Sequence, residues 1–254
     1  MSIHSTHAAR FMRRVALGIV AAIALVAALA STQTARAATP ASEHPMKIGI
    51  IGAGHIGGTL ARLWSHAGHE VMISSRHPEN LKELAQSLGP QARVGTPHEA
   101  ALFGDVVVVS VPYAATPQLG KDLAKELAGK IVLDTGNPYP SRDGPMAEDA
   151  RKRGTGVTSA EFLPGTRLVR AFNAINAGPL ATEAHRKGEK IGIPLASNDP
   201  EALQVAEQLV RDAGFDPVVV GGLDRAREFD VGSPVYVKSL TARELRKALN
   251  LPNP

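Results

Sequence analysis

Apolar runs and helix-spaced stripes alternate along most of the chain. Met46–Ile51 (MKIGII) is a continuous apolar run bounded by glycine, which predicts a buried strand. Ile56–Ala67 carries helical spacing at Leu60, Leu63 and Trp64, and Gly68 ends it as a terminating glycine should. Glu70–Ser74 predicts a second strand, Leu81–Leu88 a second helix and Arg93–Val94 a short strand. Asp105–Val111 (DVVVVSV) is a β-branched strand, Leu119–Leu127 a helix and Lys130–Asp134 a strand. The alternation continues with a strand at Leu168–Phe172, a short helix at Pro179–His185 and a strand at Lys190–Ala196. Glu201–Ala213 has an apolar stripe at Leu203, Val205, Ala206, Leu209 and Val210 and is closed by Gly214. Pro217–Val220 predicts a last strand and Ser239–Leu249 a charged terminal helix. Strands apolar on both sides, alternating with helices, predict an α/β fold whose mostly parallel sheet is covered on both faces.

The first 37 residues break this pattern. Arg10, Arg13 and Arg14 precede an uncharged apolar run from Val15 to Ala30, followed by polar residues and the small-x-small triplet Ala35-Arg36-Ala37. That order predicts a signal peptide over 1–37 with cleavage after Ala37, and hence export to the periplasm or the medium. The alternative is an uncleaved anchor, but sixteen helical residues span about 24 Å, short of the roughly 30 Å hydrocarbon core. Arg13-Arg14 matches the dipeptide of a twin-arginine signal, although its flanks fit that consensus poorly. Residues 38–45 read as a linker, and 46–254 as a single domain.

Charge and composition narrow the function. Of 254 residues, 44% are hydrophobic and 20% charged, so wholesale disorder is excluded. The net charge of +4 comes from the leader: without its four arginines, basic and acidic residues balance, and nothing favours nucleic acid. Cysteine is absent, which excludes disulfides, thiolate metal sites and a cysteine nucleophile. The nine histidines form no H-E-x-x-H pair, HAGHE at 66–70 straddles a helix end, and no G-x-S-x-G occurs. Neither a metal centre nor a serine hydrolase is expected.

Gly52-Ala53-Gly54-His55-Ile56-Gly57 reads G-x-G-x-x-G, directly after a strand and at the mouth of a helix. In that setting Gly52 permits a tight turn, Gly54 lets the backbone approach a diphosphate, and Gly57 lets helix and strand pack closely. Free amides at the helix start would bind the phosphates. A glycine turn without a ligand is the alternative. An NAD site places Asp or Glu at the end of the second strand; here stand Ser74, Ser75, Arg76 and His77, two hydroxyls and a guanidinium suited to a 2′-phosphate. NADP (as NADPH) is therefore the expected cofactor. Arg76 as a plain solvated charge is the competing view, and His55 is read as contributing its amide, without a catalytic role. Further strand exits should line the same cleft: Ser110-Val111-Pro112-Tyr113, Thr135-Gly136-Asn137-Pro138, and Ala171 to Asn176. There Phe172 is expected in the core and Asn173 as a hydrogen-bonding candidate. The fold class is thus a doubly wound, mostly parallel Rossmann-type sheet with helices on both faces.

GIIGAGHIGGTLARLWSHAGHEVMISSR, VVVVSVPY, KIVLDTGNPY, LVRAFNAINAGPL, LASNDPEALQVAEQLVRDAGFDPVVVGGL and AREF resemble, in order and spacing, the coenzyme F420-dependent NADP oxidoreductase family. They also resemble the NADPH-binding domain of the STEAP metalloreductases. The resemblance runs from Met46 to the terminal helix. It implies diphosphate contacts at Ala53, Gly54, His55 and Ile56, 2′-phosphate contacts at Ser75 and Arg76, and cleft positions at Val111, Pro112, Asn137 and Ala171. It implies hydride transfer to a flavin- or deazaflavin-like (F420-type) small-molecule acceptor and, by analogy with related folds, a homodimer.

Hydride transfer between stacked rings needs alignment and exclusion of water more than an acid–base pair. The absence of an obvious His/Asp or Tyr/Lys pair fits a ring acceptor better than a carbonyl. Dehydrogenases of the β-hydroxyacid type add a large helical domain, whereas only 80 residues follow Ala174 and they still alternate strand and helix. Two rivals stay open: a non-catalytic NADP-binding module or sensor, with the charged terminal helix as its partner surface, and an NADPH-dependent imine or carbonyl reductase. The residues do not specify the acceptor.

Overall fold

The computed structural model describes residues 45–252; the leader and most of the linker lie outside them. Eight strands form one sheet: β1 (Lys47–Ile51), β2 (Glu70–Ser74), β3 (Ala92–Gly95), β4 (Val106–Val109), β5 (Ile131–Asp134), β6 (Arg167–Arg170), β7 (Gly192–Ala196) and β8 (Asp216–Gly221). Their spatial order is β3-β2-β1-β4-β5-β6-β7-β8. The pairings are parallel apart from β6 with β7, which meet antiparallel through Arg170 and Ala196. The order reverses direction between β1 and β4, the switch point where open parallel sheets bind ligands at their carboxyl ends.

The apolar runs are explained by burial on both faces. Ile48, Ile50, Val106, Val108, Ile131 and Leu133 point to one side, where Leu60 and Trp64 of α1 (His55–His66) cover them. Val107, Val109 and Val132 point to the other, against Ala100 and Ala101, Leu123, Leu127 and Leu163. Each such side chain contributes roughly 1.5–3 kcal/mol of transfer free energy. The remaining helices are α2 (Lys82–Leu88), α3 (Pro97–Phe103), α4 (Thr116–Asp122), α5 (Ala124–Leu127), α6 (Pro140–Asp143), α7 (Pro145–Arg153), α8 (Thr155–Phe162), α9 (Ala177–Thr182), α10 (Pro200–Asp212) and α11 (Ala242–Ala248).

Several elements differ from expectation. The helix expected at 119–127 is two, broken at Leu123, and strand β4 ends at Val109, leaving Ser110 and Val111 in its exit. Helix α3 was not expected, although Thr96 and Glu99 form a reciprocal capping box around Pro97. Its packing needs Gly49, where a Cβ would lie 2.0 Å from the Ala100 carbonyl oxygen. Helices α6–α8 were also missed. The buried face of α8 consists of Thr155, Gly156, Thr158 and Ser159, so it has no hydrophobic stripe to read. His69, inside the HAGHE segment, is buried: its Nδ1 accepts from the Met46 amide at 3.0 Å and its Nε2 lies 2.9 Å from Asp212. No cluster of metal-ligating side chains occurs among the described residues, nor any helix long and apolar enough to cross a membrane.

Candidate active site: a phosphate cradle and a polar rim

The turn from β1 into α1 is held by backbone. The amides of Gly52 and Ala53 both donate to the Ser74 carbonyl, at 3.1 and 3.2 Å, fastening the turn to the end of β2. Gly52 has φ of 98°, and a Cβ there would meet the Ser110 carbonyl oxygen at 2.3 Å. At Gly57 a Cβ would meet the Gly52 carbonyl oxygen at 2.1 Å. Gly54 is different: a Cβ built on it finds no atom within 4 Å among the described residues. The first two positions need glycine for the fold, whereas the third leaves open space at the helix mouth. Gly54 is the residue before the helix, has no side chain to cap it, and no acid stands in the first turn. The amides of the first turn therefore face outward with the positive end of the helix dipole, which fits a diphosphate.

At the end of β2, Ser74 is buried and its hydroxyl donates to the Ile50 carbonyl at 2.9 Å. Its side chain thus serves the sheet and does not reach the cleft, because the strand alternation turns it inward. Ser75 is half-buried, with its Oγ accepting from the His77 amide at 3.0 Å, and Arg76 is exposed. His55 is exposed and Ile56 half-buried. Val111 packs against Gly52, its Cγ1 2.9 Å from where a Cβ would sit, and Pro112 is exposed beside it.

The exits of β5 and β6 form a second region, built from side chains. Arg170 is fully buried; its Nη1 lies 2.5 Å from Asp134 Oδ2 and donates to the Asp134 carbonyl at 3.1 Å, and its Nη2 donates to the Gly136 carbonyl at 2.7 Å. Asp230 stands 3.8 Å from Nη2 and caps α8 by accepting from the Thr155 amide at 2.9 Å. Burial works against the charge of Arg170, but Asp134, then Asp230, outweigh it and hold the pKa above its ordinary value. Burial, then Asp134, raises the Tyr113 phenol, whose hydroxyl meets those of Thr158 and Ser159 at 2.7 and 3.0 Å. This network shapes the Thr135–Asn137 turn. Asn137 Nδ2 donates to the Asn173 carbonyl at 2.8 Å, while Oδ1 of both asparagines is buried without a partner among the described residues. Ala171 is fully buried, so only its backbone is available to a ligand, and Phe172 is core, packed edge-on to Trp64 at 5.9 Å.

Sequence reading missed this network. Asp134 and Arg170 were legible in principle, since a charged residue at the end of an apolar strand flags a buried pair. The contact between the hydroxyls of Tyr139 and Tyr236, 97 residues apart, was not.

The fold and the turn define a Rossmann-type α/β domain with a candidate nucleotide site. Residues 47–138 match the family described as NADP oxidoreductase, coenzyme F420-dependent. The chain is 30% identical over 217 residues to the F420-dependent NADP reductase of Methanothermobacter thermautotrophicus, covering 80% of this chain and 93% of that protein. It is also 30% identical over 184 residues to metalloreductase STEAP3 of Rattus norvegicus, covering 72% of this chain but only 36% of that protein. A putative F420-dependent NADP reductase from Arthrobacter sp. FB24 superposes with a TM-score of 0.64 at 25% identity, covering 82% of this chain and 96% of that one. The chain belongs to the F420-dependent NADP reductase family and is an NADP-dependent oxidoreductase, with NADP(H) as its nucleotide.

Proposed function

We propose that the protein passes a hydride from NADPH to a flavin- or deazaflavin-like ring. The observation that carries this reading is the open space over Gly54 beside an acid-free helix start, with Ser75 and Arg76 where an NAD site would place a carboxylate. The first-turn amides of α1 hold the diphosphate, and Ser75 and Arg76 take the 2′-phosphate. Val111 and Pro112 wall the cleft, and the unpartnered Oδ1 of Asn137 is placed to accept from a carboxamide. When bound, NADPH supplies the hydride; the chain supplies alignment and the exclusion of water. The names of the F420-dependent relatives support a ring acceptor.

Steady-state oxidation of NADPH with riboflavin, 5-deazariboflavin, a quinone and a ferric chelate tests the reading. Turnover with a ring acceptor is expected. Nucleotide binding with no turnover on any of them overturns it in favour of a non-catalytic module. We also propose that the chain is exported and cleaved after Ala37; N-terminal sequencing of the mature protein tests this.

A further inference from the structure

Hydride reduction of a flavin, deazaflavin, imine or carbonyl consumes a proton: NADPH, one proton and the acceptor give NADP and the doubly reduced product. We propose that Tyr139 donates that proton and that Tyr236 positions it, an inference that rests on the function proposed above. The O–H bond of Tyr139 breaks, its electron pair stays on the phenolate oxygen, and the proton goes to a nitrogen or oxygen of the acceptor. Water then returns a proton to the Tyr139 oxygen, which the Tyr236 hydroxyl holds in place.

Four observations support the assignment. Tyr139 leaves β5 directly after Asn137 and Pro138, on the carboxyl-end rim where ligands of such sheets bind. Its backbone is fixed there: its amide donates to Asp143 Oδ2 at 2.9 Å, and Asp143 Oδ1 accepts from the Ala114 amide at 3.2 Å, tying the exits of β4 and β5 together. Arg142 lies 5.1 Å over the Tyr139 ring and donates to the Asn137 carbonyl at 2.7 Å. Tyr236 reaches Tyr139 from the far end of the chain through a strained backbone. Val237, a β-branched residue, has φ of 53°, and its amide donates to the Ala174 carbonyl at 3.0 Å. A β-branched residue in the left-handed region persists only where its surroundings enforce it. Val237 directly follows Tyr236, so the same segment carries the hydroxyl that meets Tyr139. The charged groups facing the pair are Arg142, Asp143 and Asp230. Burial, then Tyr139, raises the Tyr236 phenol well above its ordinary range, so it stays protonated and keeps its hydrogen bond to the Tyr139 oxygen.

Two measurements on the full chain decide the matter. In the first, tyrosines labelled at the ring carbon bearing oxygen are titrated by NMR in the free protein and with saturating NADP or NADPH. Of the three tyrosines, Tyr139 should ionise about one pH unit lower with NADP than with NADPH, because the oxidised nicotinamide is a cation beside the phenol. In the second, Tyr139→Phe should bind NADP as the wild type does. Its oxidation of NADPH by 5-deazariboflavin should nevertheless fall about a hundredfold or more, with a rate that drops steadily as pH rises because the proton now comes from solvent. Tyr236→Phe should show the same pH dependence with a smaller loss. Identical Tyr139 titrations with the two nucleotides overturn the proposal whether or not the variants fold. So does an unchanged rate and pH profile in Tyr139→Phe. Failure of the wild type to bind NADP overturns the cofactor reading beneath it.

Discussion

The two ends of the cleft are made of different material. At the proposed phosphate end, from β1 through α1 to β2, the working parts are mainly amides, carbonyls and missing side chains with one exposed guanidinium, and most of the turn's contacts are local. At the opposite end, the rim of β5 and β6, they are side chains brought together from across the chain: Asp134, Arg170 and Asp230, and the tyrosines at 139 and 236. A backbone site tolerates change around it and fails if a Cβ intrudes. A side-chain site stands or falls with its partners.

The largest effect that would break the comparison is expected at Arg170. Its removal in Arg170→Met leaves Asp134 buried and uncompensated, which costs about 3–5 kcal/mol of stability. Denaturant melts measure this. Adding Asp134→Asn should recover part of the loss, because the stranded charge is then gone. A single variant as stable as the wild type would show that the rim does not depend on this pair.

At the phosphate end the contrast is internal. Gly57→Ala forces a Cβ to 2.1 Å from a backbone oxygen, and overpacking of this kind costs about 3 kcal/mol. Gly54→Ala meets nothing among the described residues, so its melting temperature should be unchanged while NADP affinity falls. If both variants lose stability alike, Gly54 belongs to the fold and the open space is no cradle. Next in size is Arg76→Ala. A charged hydrogen bond is worth about 1.5–3 kcal/mol, so NADP affinity should drop roughly ten- to a hundredfold. NAD affinity and thermal stability should not move, because Arg76 is exposed. Calorimetric titration with both nucleotides reads the difference.

The same division decides what the sequence reveals. The turn between β1 and α1 was legible because glycines at fixed spacing between a strand and a helix have a local cause. The sheet was legible because Val106–Val109 and Ile131–Leu133 must be buried on both sides. Helix α8 escaped because its buried face is hydroxyl and glycine, partnered by Asp230 and Tyr113 from distant segments. Ser74 was placed in the cleft because its neighbours belong there; whether a terminal strand residue points in or out depends on a register that spacing alone leaves open. The polar rim has no local pattern: Arg170 acquires meaning only once β5 lies beside β6.

The smallest effect tests the junction behind α1, away from both ends. His69 accepts from the Met46 amide through Nδ1, so its single proton sits on Nε2 facing Asp212. A second proton would set two donors against each other at Nδ1. Burial, outweighing the pull of Asp212, lowers the His69 pKa below its ordinary value. The unfolded chain therefore binds more protons than the folded one as pH falls below about 6.5, and stability drops there. The lowered pKa of Asp143 acts only at more acid pH, below about 4. His185, lowered by burial and then by Lys190, adds to the same window, so the informative quantity is a difference. Between pH 7 and pH 5 the melting temperature of the wild type should fall more than that of His69→Gln. Equal slopes would mean that His69 takes its proton in the folded state as readily as in the unfolded one, and that the buried pair is an ion pair after all.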